Sequence, residues 1–272
     1  MTFPILSAES ATEFAARIGM FSVLLSSIEY FPQRHHLRDE GLISWEINSV
    51  RQAWCLHPGI APVLNRLLNY PNVLGLLFFR AAFAGWLAFS PIPVIAQPWA
   101  VFMVTALTAA FITRSAYGQD GADQMAWVAG VALSLALAVG TPLALRAYLC
   151  FLAGQTIIAY SAAGFAKLVA AKWRDGSYLP AIFRITGYGH PGLARALEAS
   201  PGLCRLLAAG LLVWECSFLL VLVCPPTAGL GFLICGVFFH VASAYFMGLN
   251  CFFWAFIATY PAIIFLVQHR PF

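Results

Sequence analysis

Apolar residues run through this chain in long blocks, near 11–31, 72–90, 95–113, 124–140, 144–168, 203–224, 227–247 and 249–268, with polar residues gathered between them. Crossing a hydrocarbon core of about 30 Å takes roughly 20 mainly apolar helical residues. Backbone groups deprived of water allow only helices or closed barrels there, and unbroken runs favour helices. The pattern predicts an all-α fold, a polytopic bundle of about eight transmembrane spans with interfacial helices, read as a single domain over residues 1–272. Glu13 and Arg17 fall in the opening turns of the first run and leave open an interfacial start for it.

Two connections are too long to be turns. The first, 32–71, contains QRHHLRDEG, SWEINSVRQAW and PGIAPVLNRLL, and its apolar residues at helical spacing, together with Trp45 and Trp54, predict helices lying on the membrane interface. The second, 169–202, is punctuated by Gly and Pro, which forbids one continuous helix. Connections of this length in a compact protein often carry function.

Composition narrows the class further. Hydrophobic residues make up 61% of the 272 and charged residues only 10%, with a mean hydropathy of +0.81. Soluble domains run to about 45–50% apolar and about 25% charged residues, so lipid has to serve as most of this chain's solvent. A sizeable soluble domain and a disordered chain are both excluded. The net charge of +4 points to no nucleic-acid partner. Seven cysteines lie mostly inside apolar runs without metal-ligand spacing, read as small buried hydrophobes, and suggest no metal site. The amino terminus has neither the basic flank nor the cleavage site of a signal peptide and reads as retained. Alternating sides from span to span puts Arg114, Arg205 and the basic residues of both long connections on one face, which the positive-inside rule makes cytoplasmic.

Ionisable groups inside spans cost roughly 2.5–3.5 kcal/mol each and usually face a bundle interior or a water-filled cavity. Lys167 ends the fifth run, and Tyr160, Gly164 and Lys167 share one helical face at i, i+4 and i+7. A lysine snorkelling to the headgroups would look the same. Glu215 sits mid-run in LLVWECSFLL with no opposite charge within helical reach, so its partner must come from another element. His240, in GVFFHVASAYF, is equally central, either as a satisfied hydrogen-bonding residue or as a member of a polar core shared with Lys167 and Glu215. Arg80 in LFFRAAF suits pairing with an acid or a lipid phosphate. Between the third and fourth runs, TRSAYGQDGADQM sets Asp120 and Asp123 beside Arg114, with Gly118 and Gly121 for tight backbone. By itself that pattern reads as a hydrated turn with a capping aspartate.

The segment YSAAGFAKLVAAKWRDGSYL, residues 160–179, resembles the transmembrane signature of the vitamin K-dependent gamma-carboxylase superfamily, the HTTM domain: Tyr-x-x-Ala-Gly-x-x-Lys-Leu and then Trp-x-x-Gly. HLRDEGLISWE, RSAYGQDGADQM, WECSFLLVLV, the His240 segment and ATYPAIIFL are similar to further family segments in the family's order, so the resemblance covers nearly the whole chain. It implies an integral membrane enzyme of the bacterial inner membrane. Lys167 would be the base that deprotonates a reduced quinone of vitamin K or menaquinone type, with Glu215 and His240 as further catalytic residues. Tyr160, Gly164, Arg114, Asp123 and Trp173 would be substrate-binding. The animal carboxylase carries a large extramembrane domain after its helices, whereas this chain ends at Phe272. The resemblance therefore implies a small bacterial-type member lacking that domain, with a peptide substrate reached through a partner subunit that supplies it.

Three readings stand side by side: a quinol-dependent membrane enzyme; a partner-dependent maturation factor for a secreted toxin-like peptide, as in sporulation-delaying systems; and a non-enzymatic membrane scaffold or carrier. For the first, Lys167 should lie in an apolar cleft away from carboxylates that would hold it protonated, and its loss should leave folding nearly intact. Burial of Lys167 against a carboxylate without a cavity would favour the third.

Overall fold

In a computed structural model, which describes residues 5–41, 43–115 and 121–270, the protein is all-α, with no strand among the described residues. Its helices are α1 (Ala8–Tyr30), α2 (Trp45–Ser49), α3 (Ala61–Leu68), α4 (Asn72–Phe89), α5 (Pro98–Arg114), α6 (Gly121–Val139), α7 (Pro142–Val169), α8 (Ala171–Arg174), α9 (Tyr178–Phe183), α10 (Pro191–Glu198), α11 (Pro201–Ser217), α12 (Pro226–Met247), α13 (Asn250–Ile257) and α14 (Tyr260–Gln268). Among the described residues seven helical segments are long and apolar enough to cross a membrane, and α5, at 17 residues, is a shorter apolar helix. The eight apolar runs of the sequence thus all become helices, and the chain is an integral membrane protein. It divides into two compact units, residues 12–148 and residues 1–11 with 149–272.

In the unit of residues 12–148, α4 packs on α5 and α5 on α6. Pro98 opens α5, where its missing N–H costs nothing, and Gly140, at φ +67°, closes α6. α1 runs through Glu13 and Arg17 without a break. These two residues do not sit as loose interfacial charges. Arg17 Nε donates to Glu13 at 2.6 Å, its Nη1 and Nη2 donate to the carbonyls of Ser90 (2.7 Å) and Ile92 (3.1 Å), and Val94 N donates to the Glu13 carboxylate at 2.8 Å. This ion pair therefore satisfies backbone groups of the α4–α5 connection that its single 3-10 turn, Val94–Ala96, leaves open.

The 32–71 connection forms short helices, as its pattern predicts, with two 3-10 turns, Arg34–Leu37 and Ala53–Leu56, beside α2 and α3. Trp45 departs from the interfacial expectation: it is 1% exposed, packs with Cys55 and Leu68, and donates from Nε1 to Asn65 Oδ1 at 2.7 Å. Trp54 is half exposed. Leu37, Val73, Leu77 and Phe111 form the adjoining core cluster.

In the other unit, α11 tightens into a 3-10 turn over Phe218–Leu222, and Arg270 donates to the carbonyls of Leu222 (2.9 Å) and Cys224 (2.6 Å) that this leaves open. The last apolar run is two helices rather than one. Pro261 cannot supply an N–H to the ladder, and the Thr259 hydroxyl donates to the Phe256 carbonyl at 2.7 Å across the break. The 169–202 connection is α8, α9 and α10, separated by the breaks that its Gly and Pro predict.

Candidate functional site

Tyr160, Gly164 and Lys167 occupy one face of α7, and α11 lies directly against it. Gly164 is the reason. A Cβ there would fall 2.7 Å from the Cys216 backbone nitrogen and 2.7 Å from Glu215 Cβ, so only glycine lets the two helices approach this closely. Gly164→Ala is expected to force them apart, costing about 1–3 kcal/mol and lengthening every contact built across them. An unchanged thermal midpoint for the purified variant would show that the interface yields.

The approach brings Lys167 Nζ to 2.6 and 2.7 Å from the two carboxylate oxygens of Glu215. Glu215 finds on α7 the partner that its own helix lacks. Lys167 therefore does not lie away from carboxylates, the position expected of it if it is a quinol base. The physical reason is that a mid-span carboxylate has no water to solvate it and takes the one ammonium within reach. The pair is uneven: the Glu215 side chain is 2% exposed, and that of Lys167 is 20% exposed. Trp173, on α8, lies beside the amine, with Nζ 5.5 Å from its ring centroid. A cation–π contact at that range holds the ammonium against the indole face.

Further along the same face of α7, Tyr160 joins a second polar group. Its hydroxyl is 2.6 Å from His240 Nε2 and 3.0 Å from the Tyr260 hydroxyl, and all three side chains are buried. His240 is thus bonded to Tyr160, while Glu215 is bonded to Lys167. Trp214, Phe218 and Phe256 surround the Tyr160 ring at centroid distances of 4.9, 4.4 and 5.4 Å. Gly236 makes room for Tyr260, because a Cβ at that position would overlap the Tyr260 hydroxyl. Among the described residues His240 Nδ1 has no hydrogen-bond partner. Tyr260 and Trp214 were not singled out from sequence. The signal for Tyr260 was there in ATYPAIIFL, a tyrosine followed by a proline inside an apolar run.

Arg114 and Asp123 belong to the unit of residues 12–148. Arg114 is fully buried, and its guanidinium donates to the carbonyls of Leu68 (2.8 Å), Ile43 (2.6 Å) and Leu37 (2.5 Å). It holds the 32–71 connection to the end of α5 with all three of its guanidinium nitrogens. Asp123 lies 4.0 Å from Arg80, which donates to Ser26 Oγ at 3.1 Å and sits 5.1 Å from the centroid of the Phe111 ring. Arg80 thus has the acidic neighbour that its sequence position suggested. Gly118 and Asp120 lie outside the described residues. No three His, Cys, Asp or Glu side chains among the described residues gather as a metal site.

Comparison with protein-family models, with curated proteins and with solved structures returns no match for this chain.

Proposed function

We propose that the chain is a membrane enzyme of the vitamin K-dependent gamma-carboxylase type. In this reading Lys167 takes a proton from a reduced quinone, of vitamin K or menaquinone type, to drive modification of a peptide or small-molecule substrate. The observation that carries the reading is the unevenness of the ion pair: the acid is sealed and the amine is left within reach. Glu215 aims the amine and can accept a proton from it, which leaves the nitrogen basic toward a weakly acidic hydroxyl. Trp173 offers a flat aromatic face beside that nitrogen, and Phe165, Leu168 and Val169, exposed along the same end of α7, suit an isoprenoid tail. When bound, a reduced quinone supplies the acidic hydroxyl and the reducing equivalents. A partner subunit with an extramembrane domain, a peptide substrate and a bacterial inner-membrane location belong to the same proposal.

The two short contacts between Lys167 and Glu215 also favour a second reading, a scaffold in which the pair only fastens α7 to α11. Quinol turnover by the protein in lipid nanodiscs separates the two. Lys167→Arg keeps a cation opposite Glu215 but cannot serve as a base, since guanidinium stays charged with a pKa above about 12. It is expected to lose at least about a hundredfold in turnover per folded molecule, while Arg66→Ala, at an exposed position of α3, is unchanged. Full turnover by Lys167→Arg would refute the base and leave the scaffold.

A further inference from the structure

We propose that the end of the unit of residues 149–272 where α7 stops and α11 starts is a binding surface for anionic phospholipid headgroups. Between residues 170 and 205 the chain places five basic side chains, Lys172, Arg174, Arg184, Arg195 and Arg205, against two acidic ones, Asp175 and Glu198. That excess of three is most of the net +4 of the whole chain, and all seven residues are exposed.

The surface is built rather than a loose loop. Gly176 takes φ +78°, and a Cβ on it would fall 2.7 Å from Arg205 N, so the α8–α9 turn lies against the first turn of α11. Arg174 donates to the Leu168 carbonyl at 3.0 Å and closes the end of α7. Arg184 and Glu198 pair at 2.5 Å between α9 and α10, and His190 Nδ1 accepts from Leu193 N at 3.0 Å to cap α10. The Phe183 and His190 rings rest on Phe246, near the end of α12. Ser177, through its hydroxyl and backbone N–H, holds the Asp175 carboxyl below its ordinary range, so Asp175 stays charged and the excess remains three.

Apolar exposure decides between partners. Ile185, Leu203 and Leu206 are 46%, 46% and 69% exposed beside these charges, and Tyr178 and Tyr188 are exposed among them. A soluble acidic partner would leave the aliphatic groups in water whenever it dissociated. A phospholipid supplies phosphate oxygens for the guanidinium groups and acyl carbon for the aliphatic ones, and tyrosines suit the boundary between the two.

Each basic side chain near an anionic membrane surface contributes about fivefold in affinity. The test is native mass spectrometry of protein taken from membranes of mixed phosphatidylglycerol and phosphatidylcholine, reading the ratio of the two lipids still bound after detergent exchange. The wild type is expected to retain phosphatidylglycerol well above its share in the membrane. The triple variant Lys172→Gln, Arg195→Gln, Arg205→Gln should lower that enrichment at least about tenfold. Arg34→Gln, Arg51→Gln, Arg66→Gln, which removes the same charge from the other unit, should leave it in place. The charge-keeping variant Lys172→Arg, Arg195→Lys, Arg205→Lys should also retain it. No enrichment in the wild type, an equal fall in both neutralised triples, or loss in the charge-keeping variant would overturn the proposal.

Discussion

Arg114→Ala is expected to lower the thermal midpoint of the protein more than any other single substitution in residues 12–148. The side chain is fully buried and holds three carbonyls, of Leu37 and Leu68 at the ends of their helices and of Ile43 in a turn, that no helical ladder satisfies. Truncation strands all three. A buried group left unpaired costs about 1–3 kcal/mol, and breaking a buried charged network typically costs about 3–5 kcal/mol in total. Arg114→Lys is not expected to rescue it, because one ammonium cannot point at three carbonyls in the fan that a guanidinium spans. Limited proteolysis in intact membranes offers a second readout: the 32–71 connection should become cleavable in the variant and stay uncut in the wild type. A wild-type midpoint and an uncut connection in Arg114→Ala would show that the carbonyls find other partners.

The second large effect is expected from Lys167→Ala, which leaves the Glu215 carboxylate sealed without a countercharge. Removing one partner of a buried pair costs about 3–5 kcal/mol, whereas replacing both is often close to neutral. Lys167→Ala should therefore be more destabilising than Lys167→Ala combined with Glu215→Gln, with a coupling energy of about 2–3 kcal/mol in a double-mutant cycle. The pair thus changes what the sequence implied for this substitution, namely nearly intact folding. Lys167→Arg is consequently the cleaner probe of the base. Strictly additive midpoints around the cycle would mean that the amine and carboxylate do not depend on each other, and the argument from their unevenness would lapse with that result.

Much of the fold could be read from the chain. The eight apolar runs became helices with ends within a few residues of those expected, and Gly and Pro marked the breaks between α8 and α11. The shared face of Tyr160, Gly164 and Lys167 was also legible, because helix periodicity alone sets it. Trp45 was not. An indole in an amphipathic segment looks the same whether it meets headgroups or the protein, and it was Asn65, 20 positions later, that gave its N–H a partner inside. The partners of Arg114 were not legible for a related reason: the carbonyls it serves lie 46 to 77 positions away.

The sequence by itself determined the solvent, the helical class and the positions of the spans. These follow from local quantities, namely how much charge the chain has to cover its surface and how many consecutive residues can satisfy their own backbone in lipid. Only the tertiary structure decided which polar groups meet. Lys167 and Glu215 are 48 positions apart, Tyr160 and His240 80, and Tyr160 and Tyr260 100. A helix in an apolar medium can turn about its own axis with little change in solvation. Its rotation is set by where another helix fits, here by the space that Gly164 leaves for α11 and Gly236 for Tyr260. Contacts of that kind belong to pairs of helices and are absent from the pattern of either one alone.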